Sequence, residues 1–219
     1  MNKQIEKFQY ITGQHHLHSY AELAKLAYMN GCRWVQLRMK GHSATQIEEE
    51  ARKSLAEANI HNGILIINDH PEIARATGAH GVHLGKDDMQ PSRARQILGY
   101  EAIIGGTANT FDDIIRLVDE EVDYIGLGPF RYTTSKKNLS PILGLDGYTE
   151  VMERLKELEI SIPIIAIGGI TVSDIEQLLN VGLHGLAVSG AVSVHELFAG
   201  NIRQFVNKTV LNNQIKNIP

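Results

Sequence analysis

The chain of 219 residues is predicted to be an α/β protein folded as a single (β/α)₈ barrel, a TIM barrel. Short apolar, β-branched runs occur eight times, and stretches with helical spacing of apolar residues lie between them. Apolar strands that alternate with amphipathic helices indicate a parallel sheet covered on its faces. A barrel of this type commonly takes roughly 200–250 residues, so eight units in this length favour closure. An open doubly wound sheet is the alternative.

The predicted strands are short, and most consist largely of Val, Ile, Leu and aromatic residues. In chain order they are Phe8 to Thr12, Trp34 to Met39, Gly63 to Ile67, Gly81 to Leu84, Ala102 to Gly106, Tyr124 to Leu127, Ile162 to Ile167 and Gly185 to Val188.

The predicted helices fill the intervals between these strands. They are Tyr20 to Asn30, Ala44 to Ala58, Pro71 to Thr77, Pro91 to Leu98, Phe111 to Glu120, Tyr148 to Leu158, Ser173 to Asn180 and His195 to Asn207. Gly31 ends the first helix, and Ser173-Asp174 opens the seventh. No low-complexity stretch or linker interrupts the series, so we expect one domain over residues 1–219.

The composition is that of an ordinary globular protein. It is 43% hydrophobic and 21% charged with a formal net charge of -4, which gives no overall attraction to nucleic acid or to an anionic membrane. Cys32 is the single cysteine, so no disulfide and no cysteine metal cluster can form within one chain. The first eight residues lack the apolar core of a secretion signal, and no apolar run approaches the ~20 residues that span a bilayer. We therefore expect a cytoplasmic protein.

The second predicted strand carries two cations and an amide. Gln36, Arg38 and Lys40 alternate along it, so their side chains are predicted to project to one side, at the strand end where barrels place their active sites. Arg binds phosphate oxygens in a bidentate manner and Lys acts as a point charge, so a diphosphate suits both. The alternative is a solvated strand end.

The next two strands end in hard oxygen ligands. Asn68 and Asp69 follow the third strand, and Asp87 and Asp88 follow the fourth. Mg²⁺ uses one or two carboxylates and completes its octahedron with water and substrate phosphate, so Asp69 and Asp88 are the predicted metal ligands. Equally open is the alternative that Asp69 and Asp87 or Asp88 cap the helices that follow. His83, inside an apolar run, is expected to be a packed residue rather than a catalyst.

Two further segments are suited to phosphate. The loop after the sixth strand contains Thr133, Thr134, Ser135 and Lys136, and the seventh and eighth strands end in Gly168-Gly169 and Ser189-Gly190. Barrels often bind phosphate at the last two strands through backbone N–H groups that glycine leaves accessible. Tight turns are the alternative explanation of these glycines, and it is disfavoured because glycines occur at the ends of both strands. Two anion sites, one of them metal-linked, indicate two phosphorylated small-molecule substrates.

These residues together resemble the thiamine-phosphate synthase family, also called thiamine-phosphate pyrophosphorylase. The resemblance covers nearly the whole chain. It rests on Tyr10-Ile-Thr12, Gln36-Leu-Arg-Met-Lys40, Asn68-Asp69, Gly81 to Asp88, Gly126-Leu-Gly-Pro-Phe130, Thr133-Thr-Ser-Lys136, Gly144-Leu145 and Ile167-Gly-Gly-Ile170, in the family's order. It implies a barrel transferase of thiamine biosynthesis that joins 4-amino-2-methyl-5-hydroxymethylpyrimidine diphosphate to 4-methyl-5-(2-phosphoethyl)thiazole with Mg²⁺ as cofactor, releasing diphosphate.

The resemblance also implies a role for each matching residue. The pyrimidine diphosphate would be bound by Gln36, Arg38, Lys40, Asn68, Thr107 and Lys136, of which Arg38, Lys40, Thr107 and Lys136 are the expected catalytic residues. The thiazole phosphate would be bound by Thr133, Thr134, Ser135, Gly169, Val188 and Ser189. Thr107 stands where the family usually has Ser.

Three positions depart from the family's pattern: Gly13 replaces a frequent Asp, Lys86 a usual Gln, and Asn109 a common His. The related thiazole tautomerase is thought to use His at the place of Asn109, which disfavours that activity. A non-catalytic protein that binds thiazole or thiamine phosphate is the third hypothesis, and the metal carboxylates argue against it. The oligomeric state, the role of Lys86 and any closure of the 131–143 loop stay open.

Overall fold

Eight parallel strands close into a barrel in chain order, and the predicted (β/α)₈ architecture is therefore confirmed. This architecture is seen in a computed structural model that describes residues 3–132, 141–193 and 197–216, with side chains up to residue 210. The strands are β1 Phe8–Ile11, β2 Trp34–Leu37, β3 Ile64–Asn68, β4 Gly81–Leu84, β5 Ile103–Ala108, β6 Tyr124–Leu127, β7 Ile164–Ile167 and β8 Gly185–Val188. Because β8 pairs with β1, the alternative of an open sheet is wrong.

Helices follow the strands and cover the outside of the barrel. They are α1 Tyr20–Met29, α2 Ala44–Ile60, α3 Pro71–Thr77, α4 Pro91–Leu98, α5 Phe111–Asp119, α6 Gly144–Glu157, α7 Ile175–Asn180 and α8 Phe198–Lys216. A 3₁₀ helix, Val172–Asp174, precedes α7. Within the described helices, none combines the length and apolar character that crossing a bilayer requires.

Alternation along the strands divides the core into two layers. The larger layer lies between strands and helices, and includes Leu37, Leu65 and Tyr148. The smaller layer fills the barrel interior, where Trp34 and Tyr124 pack at 4.8 Å between ring centroids. Gly105 on β5 faces this interior, and a Cβ there would overlap the Tyr124 ring. A strand with no side chain at this point leaves room for the two aromatic rings.

Some predicted boundaries differ from the structure. The second strand ends at Leu37 rather than Met39, because Arg38 N donates to the Thr12 hydroxyl at 2.9 Å instead of to a strand carbonyl. The sixth helix begins at Gly144 rather than Tyr148, since two glycines made its first turn resemble a loop. The eighth helix begins at Phe198 and continues to Lys216, beyond the predicted Asn207.

Candidate active site

Two carboxyl groups meet at the C-terminal ends of β3 and β4. Asp69 directly follows β3, and its N–H donates to the His83 carbonyl at 2.9 Å. Its φ of 68° lies in the left-handed region that Asp tolerates better than most residues. Asp88 is held by the Gly85 N–H, which donates to its Oδ2 at 2.6 Å. The side chains of Asp69 and Asp88 lie close enough for a hydrogen bond when one of the two carboxyl groups is protonated.

This contact changes the acidity of the pair. Burial, the hydrogen bond to Asp88 and the charge of Asp88 raise the pKa of Asp69 to about 6, against the opposing effect of Lys40 and Arg38. Two carboxylates this close repel each other, so ionisation of both is unfavourable unless a cation lies nearby. The helix-cap alternative is wrong, because the N-cap residues of α3 and α4 are His70 and Gln90, and neither Asp caps them.

Arg38 and Lys40 stand beside this carboxyl pair, although not for the predicted reason. Both residues lie beyond the end of β2, so the strand alternation predicted for them is wrong after Leu37. Both are nonetheless close enough to Asp69 for their positive charges to lower its pKa. Burial lowers the pKa of the half-buried Arg38 guanidinium, while Asp69 and Tyr20 raise it. Cations and carboxyl groups therefore surround one volume at the barrel mouth.

The donor set at this mouth fits Mg²⁺. Across residues 3–132, 141–193 and 197–216, no three His, Cys, Asp or Glu side chains come together as a metal cage. Asp69 and Asp88 would therefore hold an ion with two carboxylates only, leaving its other positions to water and phosphate. This is the mode of binding that Mg²⁺ prefers. Half-buried Asn68, the last residue of β3, offers a further amide beside Asp69.

A chain of five polar side chains crosses the barrel interior below the mouth. Gln36 Nε2 donates to Gln9 Oε1 at 3.1 Å, and Gln9 Nε2 donates to the Tyr124 hydroxyl at 3.4 Å. His83 joins Tyr124 and Thr107, with its Nδ1 3.0 Å from the Tyr124 hydroxyl and its Nε2 3.0 Å from the Thr107 hydroxyl. The chain links the predicted pyrimidine contacts Gln36 and Thr107.

His83 is thus packed and hydrogen-bonded, as the apolar run around it predicts, yet it lies between predicted site residues. Sequence reasoning missed Gln9, Tyr124 and the connecting role of His83. The signal present in the sequence was a polar residue within an apolar strand, Gln9 in β1 and His83 in β4. Such a residue needs a partner inside the barrel, but its partner is on another strand.

Glycines shape the opposite side of the mouth. Gly168 and Gly169 follow β7 with φ values of 95° and 70°, and Phe130 and Arg131 donate their backbone N–H groups to Ile167 and Gly168. A Cβ on Gly169 would lie 2.5 Å from Arg131 Cγ. The glycine pair therefore lets the segment after β6 rest directly on the segment after β7.

An ion pair fixes these two segments together. The Arg131 guanidinium donates to both Asp174 carboxylate oxygens, at 2.6 and 2.8 Å, and to the Gly169 carbonyl at 2.9 Å. Asp174 is buried, and Thr171 donates to it through both its N–H and its hydroxyl. Burial raises the pKa of Asp174, but the bonds from Arg131 and Thr171 prevail and lower it to about 2.

The β8 end lies near β1. Val188 is buried and pairs with Tyr10, and half-buried Ser189 follows it. A Cβ on Gly13 would lie 3.4 Å from the Ser189 hydroxyl, so this departure from the family's pattern is next to Ser189. The predicted loop residues Thr133, Thr134, Ser135 and Lys136 lie outside the described residues.

Two departures from the family's pattern have definite partners. Lys86 forms an ion pair with Asp113 at 2.5 Å, in the first turn of α5. Asn109 donates its side-chain N–H to the Gly128 carbonyl, and its backbone N–H to Asp113 at 2.9 Å. Lys86 is thereby directed towards α5, and Asn109 joins the ends of β5 and β6.

A closed parallel barrel that gathers carboxyl groups, cations and a glycine-lined turn at the C-terminal ends of its strands is a (β/α)₈-barrel enzyme. The family model described as thiamine monophosphate synthase matches residues 8–192. The chain belongs to this family of transferases.

Individual relatives agree with this assignment. The chain is 45% identical over 199 residues to the thiamine-phosphate synthase of Bacteroides thetaiotaomicron, covering 91% of this chain and 95% of the relative. It is 46% identical over 189 residues to that of Flavobacterium johnsoniae, covering 85% and 88%. Among solved structures it is similar to thiamine phosphate pyrophosphorylase from Pyrococcus furiosus, with a TM-score of 0.81, 25% identity and coverage of 94% and 96%.

Proposed function

We propose that this chain is a thiamine-phosphate synthase. It joins 4-amino-2-methyl-5-hydroxymethylpyrimidine diphosphate to 4-methyl-5-(2-phosphoethyl)thiazole, and yields thiamine phosphate and diphosphate. The observation that carries the proposal is the contact between Asp69 and Asp88, with Arg38 and Lys40 beside it. Two carboxyl groups in contact with each other, beside two cationic side chains, suit a metal-bound diphosphate. The names of the relatives support the same reaction.

In this proposal the residues of the mouth assist departure of the diphosphate. The C–O bond between the pyrimidine methylene and the diphosphate breaks, and both bonding electrons leave with the diphosphate. Arg38 and Lys40 hold its oxygens, and Mg²⁺ bound to Asp69 and Asp88 would supply additional charge neutralisation there. The electron-rich aminopyrimidine spreads the positive charge left on the methylene carbon. The thiazole nitrogen then donates its lone pair to that carbon and forms the new C–N bond.

No side chain needs to form a covalent intermediate or remove a proton in this sequence of steps. The protein's contribution is electrostatic stabilisation of the departing diphosphate and orientation of the two rings. Lys136 is proposed to assist the diphosphate, and Thr133, Thr134, Ser135, Gly169, Val188 and Ser189 to hold the thiazole phosphate. We further propose that the protein works in the cytoplasm, where thiamine phosphate would be used.

The decisive experiment is incubation with both substrates and Mg²⁺, followed by measurement of thiamine phosphate and diphosphate. Equal amounts of the two products are expected. Asp69→Asn should lower turnover at least about a hundredfold. Asp119→Asn, which changes an exposed carboxylate at the last residue of α5, is the matched control and should leave turnover unchanged. A change of the thiazole alone would indicate a tautomerase, and binding without turnover would indicate a sensor.

A further inference from the structure

We propose that the buried chain Gln36–Gln9–Tyr124–His83–Thr107 sets the direction of hydrogen bonding at both of its ends, and thereby selects an amino-substituted over an oxo-substituted pyrimidine. Gln9 and Tyr124 are the positioning residues in this proposal, because they act only through their neighbours. The inference rests on the proposed function, since it concerns how that same site recognises one of its two substrates.

Because its members are largely buried, this series of hydrogen-bonded side chains matters for the stability of the protein. Gln9, Gln36 and Tyr124 are each at most 2% exposed, and His83 is 8% exposed. Polar groups in such surroundings must be hydrogen-bonded, because a buried donor without an acceptor loses its hydration and gains no bond in return. Burial also raises the pKa of Tyr124, so its hydroxyl keeps its proton at neutral pH and remains a donor. The direction of each bond therefore constrains the next.

The direction can be followed from Gln36. Its Nε2 donates to Gln9 Oε1, and Gln9 Nε2 donates to the Tyr124 hydroxyl oxygen. The hydroxyl hydrogen of Tyr124 then needs an acceptor, and His83 Nδ1 lies 3.0 Å away. If His83 Nδ1 carried a proton, the Tyr124 hydroxyl hydrogen would be buried and would have no acceptor among the residues that the structure describes. His83 Nδ1 is therefore the acceptor, and its proton is on Nε2.

The remaining bond fixes the far end. His83 Nε2–H donates to the Thr107 hydroxyl oxygen at 3.0 Å, so the Thr107 hydrogen is left to donate outwards from half-buried Thr107 near the end of β5. At the other end, Gln36 Oε1 receives no hydrogen bond from the described part of the chain. The series of five hydrogen-bonded side chains thus presents an acceptor at Gln36 and a donor at Thr107.

An aminopyrimidine matches this pattern. Its exocyclic amino group donates, which suits Gln36 Oε1, and a ring nitrogen accepts, which suits the Thr107 hydroxyl. An oxo group in place of the amino group presents an acceptor to Gln36 Oε1 and brings a proton to a ring nitrogen. Sites built around specific hydrogen bonds reject a mismatched analogue strongly, since their own polar groups then go unpaired.

The kinetic test compares kcat/KM for the aminopyrimidine diphosphate and its oxo analogue. The wild-type preference for the amino compound is expected to fall at least about tenfold in Tyr124→Phe, with KM for the thiazole phosphate unchanged. Tyr28→Phe is the matched control, because its buried hydroxyl donates to the Ile64 carbonyl at 2.9 Å, outside the five-residue chain, and it should keep the preference. An undiminished preference in Tyr124→Phe would overturn the proposal.

A second measurement does not depend on catalysis. Nitrogen-15 spectra of the imidazole side chains should show His83 as the Nε2–H tautomer, with its signal assigned by its loss in His83→Gln. The Nδ1–H tautomer would overturn the proposed direction, even if the enzyme makes thiamine phosphate. If the wild type makes no thiamine phosphate, the proposed function fails by itself, and the tautomer then reports separately on the direction of the chain.

Discussion

At the scale of single residues, Asp69 shows how strain and charge concentrate at the barrel mouth. It combines a left-handed backbone, half-burial and a second carboxyl group in contact. Each of these features is unfavourable for an ionised Asp in the metal-free protein. A site that is costly when metal-free is a sign of selection for binding rather than for stability.

The pKa of Asp69 leads to a definite dependence of stability on pH. The folded-state pKa of about 6 exceeds the unfolded value of roughly 3.9, so the stabilising contribution of the protonated form is complete below about pH 4 and disappears as pH rises through 6. Asp69→Asn removes this loss. Without metal, the melting temperature of Asp69→Asn should therefore compare more favourably with that of the wild type at about pH 8 than at about pH 4.

Mg²⁺ provides the complementary measurement. At about pH 8 it should raise the melting temperature of the wild type by mass action and leave that of Asp69→Asn unchanged. Scanning calorimetry with and without Mg²⁺ at both pH values covers the four cases. The same pH dependence in both proteins would contradict the assigned pKa.

Lys86 and Lys40 make a matched comparison. Lys86 forms an ion pair with Asp113, whereas the positive charge of Lys40 lowers the pKa of Asp69. Lys40→Gln is expected to lower kcat about a hundredfold, and Lys86→Gln less than about threefold. Steady-state assays with both substrates measure this. A loss in Lys86→Gln as large as that in Lys40→Gln would place Lys86 in the diphosphate site.

At the scale of elements, β5 depends on having no side chain beside Tyr124. Gly105→Ala would place a methyl group within the Tyr124 ring, which is buried against Trp34 and cannot move aside. We expect a loss of about 3 kcal/mol or more in the free energy of unfolding. Gly190→Ala, where a Cβ would meet nothing within 4 Å, is the control, with a change of less than about 0.5 kcal/mol. Urea titration measures both, and equal losses would contradict this account.

The link between the segments after β6 and β7 is a second property of elements. Asp174→Asn weakens the bond to Arg131 and should lower the free energy of unfolding by about 2 kcal/mol, because Asp174 is buried but Arg131 remains half-exposed. Glu49→Gln, which breaks the exposed pair with Lys53, should leave the free energy of unfolding nearly unchanged, because solvent screens this pair. Thermal unfolding of both variants at neutral pH measures the contrast.

Acid should remove this contribution. The folded-state pKa of Asp174 is about 2, below its unfolded value, so its contribution is present above about pH 4 and lost as pH falls through 2. The stability difference between the wild type and Asp174→Asn should therefore shrink below about pH 4. A difference that stays constant into acid would show that the Asp174 charge is not its origin.

At the scale of the whole molecule, closure of the barrel ties distant parts of the chain together. The Lys3 ammonium reaches Asp123 at 2.9 Å, and Arg95 reaches the same carboxylate at 2.7 Å, so the start of the chain is bound to β6 and α4. No strand can leave a closed barrel without exposing two edges and the interior layer. Unfolding is therefore expected to be cooperative.

Trp34, the single tryptophan, reports on that cooperativity because it is fully buried in the interior layer. Its fluorescence and the far-ultraviolet circular dichroism should change in one coincident urea transition. Trp34→Phe should lose the fluorescence signal while keeping the dichroism transition. A fluorescence change that precedes the loss of helix would show that the interior loosens first.

The sequence by itself determined the fold class, because each strand and helix carries its periodicity locally, and eight strand–helix units of this length fit a closed barrel. It also determined the candidate residues Arg38, Lys40, Asp69 and Asp88, since residue type and position after a strand are written in the chain.

Only the tertiary structure decided how they meet. Arg38 and Lys40 approach Asp69 from beyond the strand end, Lys86 turns towards Asp113, and Gln9 joins Gln36 to Tyr124. The reason is physical: these relations depend on the stagger and closure of strands that are far apart in the chain, and local periodicity contains no information about which residues face each other across a barrel.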